Sequence, residues 1–119
     1  MAYNVVFTDE FEVWWNDLTA EEQEDIDAGV RLLEIAGPTL KFPYSSGITG
    51  SAHPRMRELR IQHKGRPYRI LYVFDSQRSA VLLIGGDKTG DDRWYEKAVP
   101  LADRLYDQHL DELKKEGKL

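Results

Sequence analysis

Half of the basic side chains of this chain crowd into residues 55–88. Arg55, Arg57, Arg60, Lys64, Arg66, Arg69, Arg78 and Lys88 stand there against Glu58, Asp75 and Asp87, a net charge of +5. The first 54 residues carry −8 and residues 89–119 carry −2, so the formal total of −5 conceals a basic centre between acidic ends. Within the block RMRELRIQHKGRPYRILYVF, charged residues alternate with Leu, Ile, Val and Tyr, the two-residue period of a strand. A guanidinium presents a planar fork of donors that matches a phosphate or a carboxylate, so arginines in rows on a sheet are suited to holding phosphate groups.

Parity says which of these side chains emerge together. On the first strand of the block Leu59 and Ile61 share a face, while Met56, Glu58, Arg60 and Gln62 share the other. On the next, Tyr68, Ile70, Tyr72 and Phe74 oppose Arg69, Leu71, Val73 and Asp75. If the apolar sets lie under helices, then Glu58, Arg60 and Arg69 project from the opposite surface, within a few residue spacings of one another. Lys88 leaves the end of the strand that follows. The same pattern also describes a solvated sheet face with exposed ion pairs, each contributing about 0–1 kcal/mol. Parity alone therefore does not separate an anion site from a solvated face, and it defines no reaction.

The elements that must position these residues are legible in order. Tyr3–Thr8 reads as a short strand, and Asp9 as a helix cap. Phe11, Trp14, Trp15 and Leu18 fall at helical spacing. Thr19 and Glu22 have the spacing of a capping box for a second helix running to about Ala36, with Ile26, Val30, Leu33 and Leu32 inward and Gly37-Pro38 as its stop. Residues 37–54, rich in Gly, Pro and Ser, read as one long loop. Strands are expected at 56–63, 67–75 and 79–86, with turns at Lys64-Gly65-Arg66 and near Ser76-Gln77-Arg78. From Arg93 a helix is expected to about Glu116, bent at Pro100, with Ala102, Leu105, Tyr106, Leu110 and Leu113 as its apolar stripe. The order β-α-α-β-β-β-α predicts an α+β fold, an antiparallel twisted sheet with two N-terminal helices on one face and a C-terminal helix at an edge.

At 119 residues the chain is expected to form a single domain, 1–119, and its 41% apolar content is enough for a sizeable core. It has no cysteine, which excludes disulfides and thiolate metal sites. His53 and His109 are isolated, and no metal or other cofactor is expected. No run reaches the roughly 18–20 apolar residues of a membrane span, and MAYNVVFTDEF lacks the features of a signal peptide, so no membrane association is expected and the chain reads as cytoplasmic. The pI near 5.2 argues against indiscriminate nucleic-acid binding. Trp14 and Trp15 read as core, and Gly85-Gly86 as a place where backbone is approached closely or bulged.

ELR at 58–60, PYRILY at 67–72 and LLIGGDK at 82–88, behind a short strand and two helices, resemble the RelE/ParE superfamily of bacterial toxins, most closely its HigB-like, phage-derived branch. The resemblance covers nearly the whole chain. It implies the toxin of a type II toxin–antitoxin system, a metal-independent endoribonuclease that cuts messenger RNA on the ribosome. The attacking group would be a ribose 2′-OH, leaving a 2′,3′-cyclic phosphate and a 5′-OH. The implied catalytic set is Glu58, Arg60, Arg69, Lys88 and Tyr95. Arg69 would sit at the scissile phosphate, Arg60 in support, Lys88 after the last strand, and Tyr95 where RelE-like members carry a functional tyrosine. Arg57, His63, Lys64 and Arg66 would contact RNA, with His63 the nearest substitute for a general acid. Met56 and Glu58 stand where other members have strand lysines, so either Glu58 is the base or the activity is weak or absent. The partner implied is a cognate antitoxin, a helix-turn-helix protein whose acidic segment would cover the basic site or displace the C-terminal helix. Two alternatives stay open: a ParE-type inhibitor that binds a protein target such as gyrase, and a degenerate module that binds only its antitoxin.

Overall fold

The computed structural model describes residues 2–119. Its elements are β1 (Asn4–Phe7), α1 (Asp9–Asn16), α2 (Ala20–Ala36), one turn of 3-10 helix (Gly37–Thr39), β2 (Ser45–Gly47), β3 (Arg57–His63), β4 (Arg66–Phe74), β5 (Ser79–Asp87) and α3 (Trp94–Lys115). The sheet order is β1-β5-β4-β3-β2. Strands β3, β4 and β5 run antiparallel as expected and β2 joins them antiparallel, but β1 pairs parallel with β5, which makes the sheet mixed. Helices α1 and α2 carry the chain from β1 at one edge of the sheet to β2 at the other.

The N-terminal helices begin where side chains satisfy their first amides. Thr8, one residue before Asp9, caps α1 by accepting from the Phe11 amide at 3.0 Å. At α2 the capping box is complete: Thr19 accepts from the Glu22 amide at 3.2 Å and Glu22 accepts from the Thr19 amide at 2.8 Å. Gly37 ends α2 at φ +60, and a Cβ there would lie 2.2 Å from the Tyr3 ring, so geometry and packing both require glycine. Phe11, Ile26 and Leu33 of these helices bury against Leu59, Ile61, Tyr68, Ile70 and Tyr72. Leu32 is 39% exposed and points outward, contrary to expectation.

The expected edge position of the C-terminal helix is corrected. Helix α3 lies on the other face of the sheet, where Ala98, Val99, Ala102, Leu105 and Tyr106 pack on Met56, Leu71, Val73, Val81 and Leu83. Both faces are covered, which is why β4 and β5 are almost continuously apolar. The expected long loop also contains β2, whose three residues pair with β3 at Leu59, Glu58 and Arg57.

Strand β5 does not keep its parity. The register with β4 slips between Leu71↔Ile84 and Tyr72↔Leu82, so Leu83 is an extra residue, a β-bulge. Leu83 and Ile84 both face α3, and beyond them the alternation is inverted. As a result Gly85 lies under Trp14 and Gly86 under Trp94: an added Cβ would be 2.3 Å and 2.4 Å from those rings. The glycine pair admits one indole from each side of the sheet.

Candidate functional site

The geometry of β3 and β4 places Arg60 directly opposite Arg69, two like charges on adjacent strands. Such a pair is unfavourable unless an anion lies between them. Glu58, two residues before Arg60 on the same face, supplies it. Its Oε2 accepts from Arg60 at 3.1 Å and from the Ser46 hydroxyl at 2.6 Å. Its Oε1 accepts from the Tyr95 hydroxyl and stands 3.5 Å from the Arg69 Nε. Both Glu58 and Arg69 are 5% exposed. Arg69 donates to the carbonyl of Tyr68 at 2.9 Å, but its Nε is buried and has no hydrogen-bond partner. The carboxylate thus occupies an anion hole built by β2, β3, β4 and the first turn of α3.

That first turn closes the site. Trp94 sits over Gly86, the cross-strand neighbour of Arg69, and Tyr95 follows one residue later. Burial is the main cause that pushes the Tyr95 phenol above its ordinary pKa, followed by its bond to Glu58 and that residue's charge; Arg69 opposes the shift. The phenol therefore stays protonated at neutral pH and acts as a donor. Lys88 continues the β4–β5 ladder with its amide on Pro67, and its ammonium lies 5.6 Å from the Tyr95 ring centroid. Arg60 lies 5.1 Å from the Phe42 ring centroid. Of the cations, Arg60 and Lys88 are within reach of solvent, and Arg69 lies behind them.

Five residues singled out from the sequence, Glu58, Arg60, Arg69, Lys88 and Tyr95, therefore come together. The other four are elsewhere. His63 is on the α2 side of the sheet, 2.5 Å from Asp25. Lys64 pairs with Glu21 at 2.7 Å, and Arg66 with Asp87 at 3.3 Å. Arg57 reaches the opposite face and donates to Ser45 at 3.0 Å, and Ser45 is in turn bonded to Tyr72. Glu58, Arg60 and Arg69 do share the face opposite the N-terminal helices, but Glu58 pairs with both arginines and α3 covers part of that face. Sequence reasoning missed Ser46 and Trp94. Ser46 sits in a segment whose composition signals only loop. Trp94 adjoins Tyr95, but only the bulge in β5 shows that it must lie over Gly86. Among the described residues, no three His, Cys, Asp or Glu side chains converge as metal ligands, and no helix is long and apolar enough to cross a membrane.

Known proteins share both the sequence and the fold. Residues 13–107 match the family described as phage-derived protein Gp49-like. The chain is 38% identical over 107 residues to the putative toxin HigB3 of Mycobacterium tuberculosis, covering 89% of this chain and 92% of that protein. It is also 38% identical over 99 residues to the putative toxin HigB2 of the same organism, where the match takes in 82% of this chain and spans only about half, 49%, of the relative's length. Among solved structures, a doubly substituted E. coli toxin RelE in the free state superposes with a TM-score of 0.57 at 15% identity, over 81% of this chain and 94% of that one. The toxin–antitoxin complex RelBE2 of M. tuberculosis gives 0.52 at 16%, over 73% of this chain and 99% of the matched chain. At such identities the two structures establish the fold.

Proposed function

This chain belongs to the Gp49-like family of phage-derived proteins, within the RelE-type toxin superfamily, and on that premise we propose that it is the toxin of a toxin–antitoxin pair, restrained by a cognate antitoxin. The finer proposal is a metal-independent endoribonuclease of the cytoplasm that cuts messenger RNA on the ribosome. One observation carries it: a buried carboxylate, two guanidinium groups and a protonated phenol converge on one sheet face, with a lysine at the rim.

The chemistry these groups support is a transesterification. The ribose 2′-oxygen forms a bond to phosphorus, the bond from phosphorus to the 5′ oxygen breaks, and a 2′,3′-cyclic phosphate and a 5′-OH result. The 2′-OH proton passes to Glu58. Tyr95 supplies a proton to the departing 5′ oxygen, and its raised pKa keeps that proton in place until then. When the Tyr95 hydroxyl turns from Glu58 to the leaving oxygen, it frees a lone pair on Oε1, the oxygen that would receive the 2′-OH proton. Arg60 and Lys88 hold the phosphate oxygens, and Arg69, with its unpartnered Nε, takes up charge that develops in the transition state.

A second reading is favoured by the burial of Glu58 and Arg69. A cluster closed by Trp94 and Tyr95 would be structural, and the chain would act by binding a protein target, as ParE-type toxins do. Induced expression separates the readings. The nuclease reading expects growth arrest with new messenger RNA 5′ ends, both lost in Arg69→Ala. Arrest without new ends points to the protein-binding reading, and normal growth under full-length expression contradicts the toxin assignment itself.

A further inference from the structure

We propose that a cavity ringed by Arg55, Arg57 and Arg78 is a docking pocket for an acidic peptide segment of a partner protein, one that carries an apolar anchor side chain. The cavity measures about 460 Å³ and opens where β3 begins and the turn between β4 and β5 lies. None of Glu58, Arg60, Arg69, Lys88 or Tyr95 lines it. Among the described residues, no carboxylate lies within ion-pair distance of any of the three arginines, whereas Arg60, Arg66 and Arg69 are all paired. Three unneutralised guanidinium groups around one cavity, in a chain of net charge −5, mark the place where negative charge is missing. The one acid in the lining, Asp75, is committed: it accepts from His109 at 2.8 Å and from the amides of Gln77 and Ser79.

The floor of the cavity decides between ligands. Ile48, Pro54 and the part of Phe74 that stays exposed supply apolar surface suited to an aliphatic or aromatic side chain. A nucleic acid would need free aromatic faces for its bases. Tyr3 has Arg78 5.6 Å from its ring centroid, and Phe74 is engaged edge-on by both Tyr3 and Tyr72. An acidic peptide with an anchor fits both the charge and the floor.

Arg78 holds φ +62, in the left-handed region where glycine is at ease. The hairpin sets that conformation: the Arg78 amide donates to the Asp75 carbonyl at 3.0 Å, and the Asp75 amide donates to the Ser79 carbonyl at 3.0 Å, a type I turn followed by a left-handed residue.

The proposal concerns a peptide ligand and stands whether or not the site at Glu58 cleaves RNA. It is tested by fluorescence anisotropy on the full chain. The probes are a panel of acidic peptides in which a Leu, Phe or Trp is moved along a Glu/Asp background, with Gln/Asn versions and a single-stranded RNA of equal length as controls. The expected result is binding of anchored acidic peptides alone, weakened by added salt and by about tenfold or more in Arg55→Glu combined with Arg78→Gly. That variant should melt no lower than the parent, because Arg78→Gly relieves the backbone. Failure of every peptide to bind overturns the proposal, as does equal binding to the variant. RNA binding that the variant abolishes would assign the pocket to nucleic acid and overturn it too.

Discussion

At Glu58 two substitutions separate charge from shape. Glu58→Ala leaves Arg60 and Arg69 facing each other across β3 and β4 with nothing between them, and it is expected to destabilise the fold by about 3–5 kcal/mol, as breaking a buried ion pair does. Glu58→Gln keeps the volume and an acceptor for Ser46 or Tyr95, so chemical denaturation should show a smaller loss. Tyr95→Phe removes one donor from a carboxylate that retains two others, and a loss of about 1 kcal/mol is expected. If Tyr95 also serves as the acid, cleavage in that variant falls much further than stability. Parity along β3 and β4 was enough to group Glu58, Arg60 and Arg69, because those strands pair without a bulge over that stretch. It could not show that the carboxylate fills the anion hole, since Ser46 and Tyr95 reach it from distant parts of the chain.

Among the elements, β5 and α3 decide how closed the site is. Gly85→Ala would press a methyl group into Trp14 and Gly86→Ala into Trp94, each with an expected cost of about 1–3 kcal/mol from overpacking. The two should differ in their consequences. Gly85→Ala disturbs the core under α1. Gly86→Ala lifts the first turn of α3, and should raise hydrogen exchange at Trp94–Ala98 and the accessibility of Arg69. Equal exchange in the two variants would show that Trp94 does not hold the turn down. The bulge that aims these glycines was not legible, because AVLLIG is apolar at every position and hides a change of parity. The resting place of α3 was equally hidden. Its stripe told which side it buries, and only the tertiary fold offers the second sheet face that receives it. The capping box at Thr19 and the Lys64-Gly65 turn were legible, since both are decided by neighbours in sequence; Lys64 and Gly65 hold φ +50 and +78, as the right-handed twist of a two-residue hairpin demands.

For the molecule as a whole, one bond ties the helical layer to the sheet and gives stability a pH signature. The Tyr68 hydroxyl donates to Glu22, the same residue that completes the α2 capping box. The bond to Tyr68, followed by the cap, lowers the Glu22 pKa to about 2. Burial and then Glu22 raise Tyr68 to about 12. A depressed carboxylate contributes stability that is fully present above its ordinary pKa of 4.5 and is lost as pH falls toward about 2. A raised phenol contributes stability present below its ordinary 10.0 and lost as pH rises toward about 12. Denaturation midpoints should therefore fall at both ends, and Glu22→Gln should flatten the acid limb, whereas an unchanged acid limb in that variant would show that Glu22 does not couple the layers. The charge map of the whole chain, basic in the middle and acidic at the ends, also resolves in space. Glu21, Glu22 and Asp25 of the acidic N-terminal region face Lys64, Arg66 and His63 on the α2 side, which leaves Arg60 and Lys88 at one site and Arg55, Arg57 and Arg78 at another. The chemistry of the first is tested by cleavage of a messenger RNA on purified, programmed ribosomes by the purified chain, with the 5′ ends of the products mapped. The expected result is cleavage that yields a 5′-OH, a loss on the order of 10²–10³ in Arg69→Ala with only partial rescue by Arg69→Lys, and a comparable loss in the folded Glu58→Gln variant. Undiminished cleavage by both Arg69→Ala and Glu58→Gln, or no cleavage by a parent chain that still arrests growth, would contradict it.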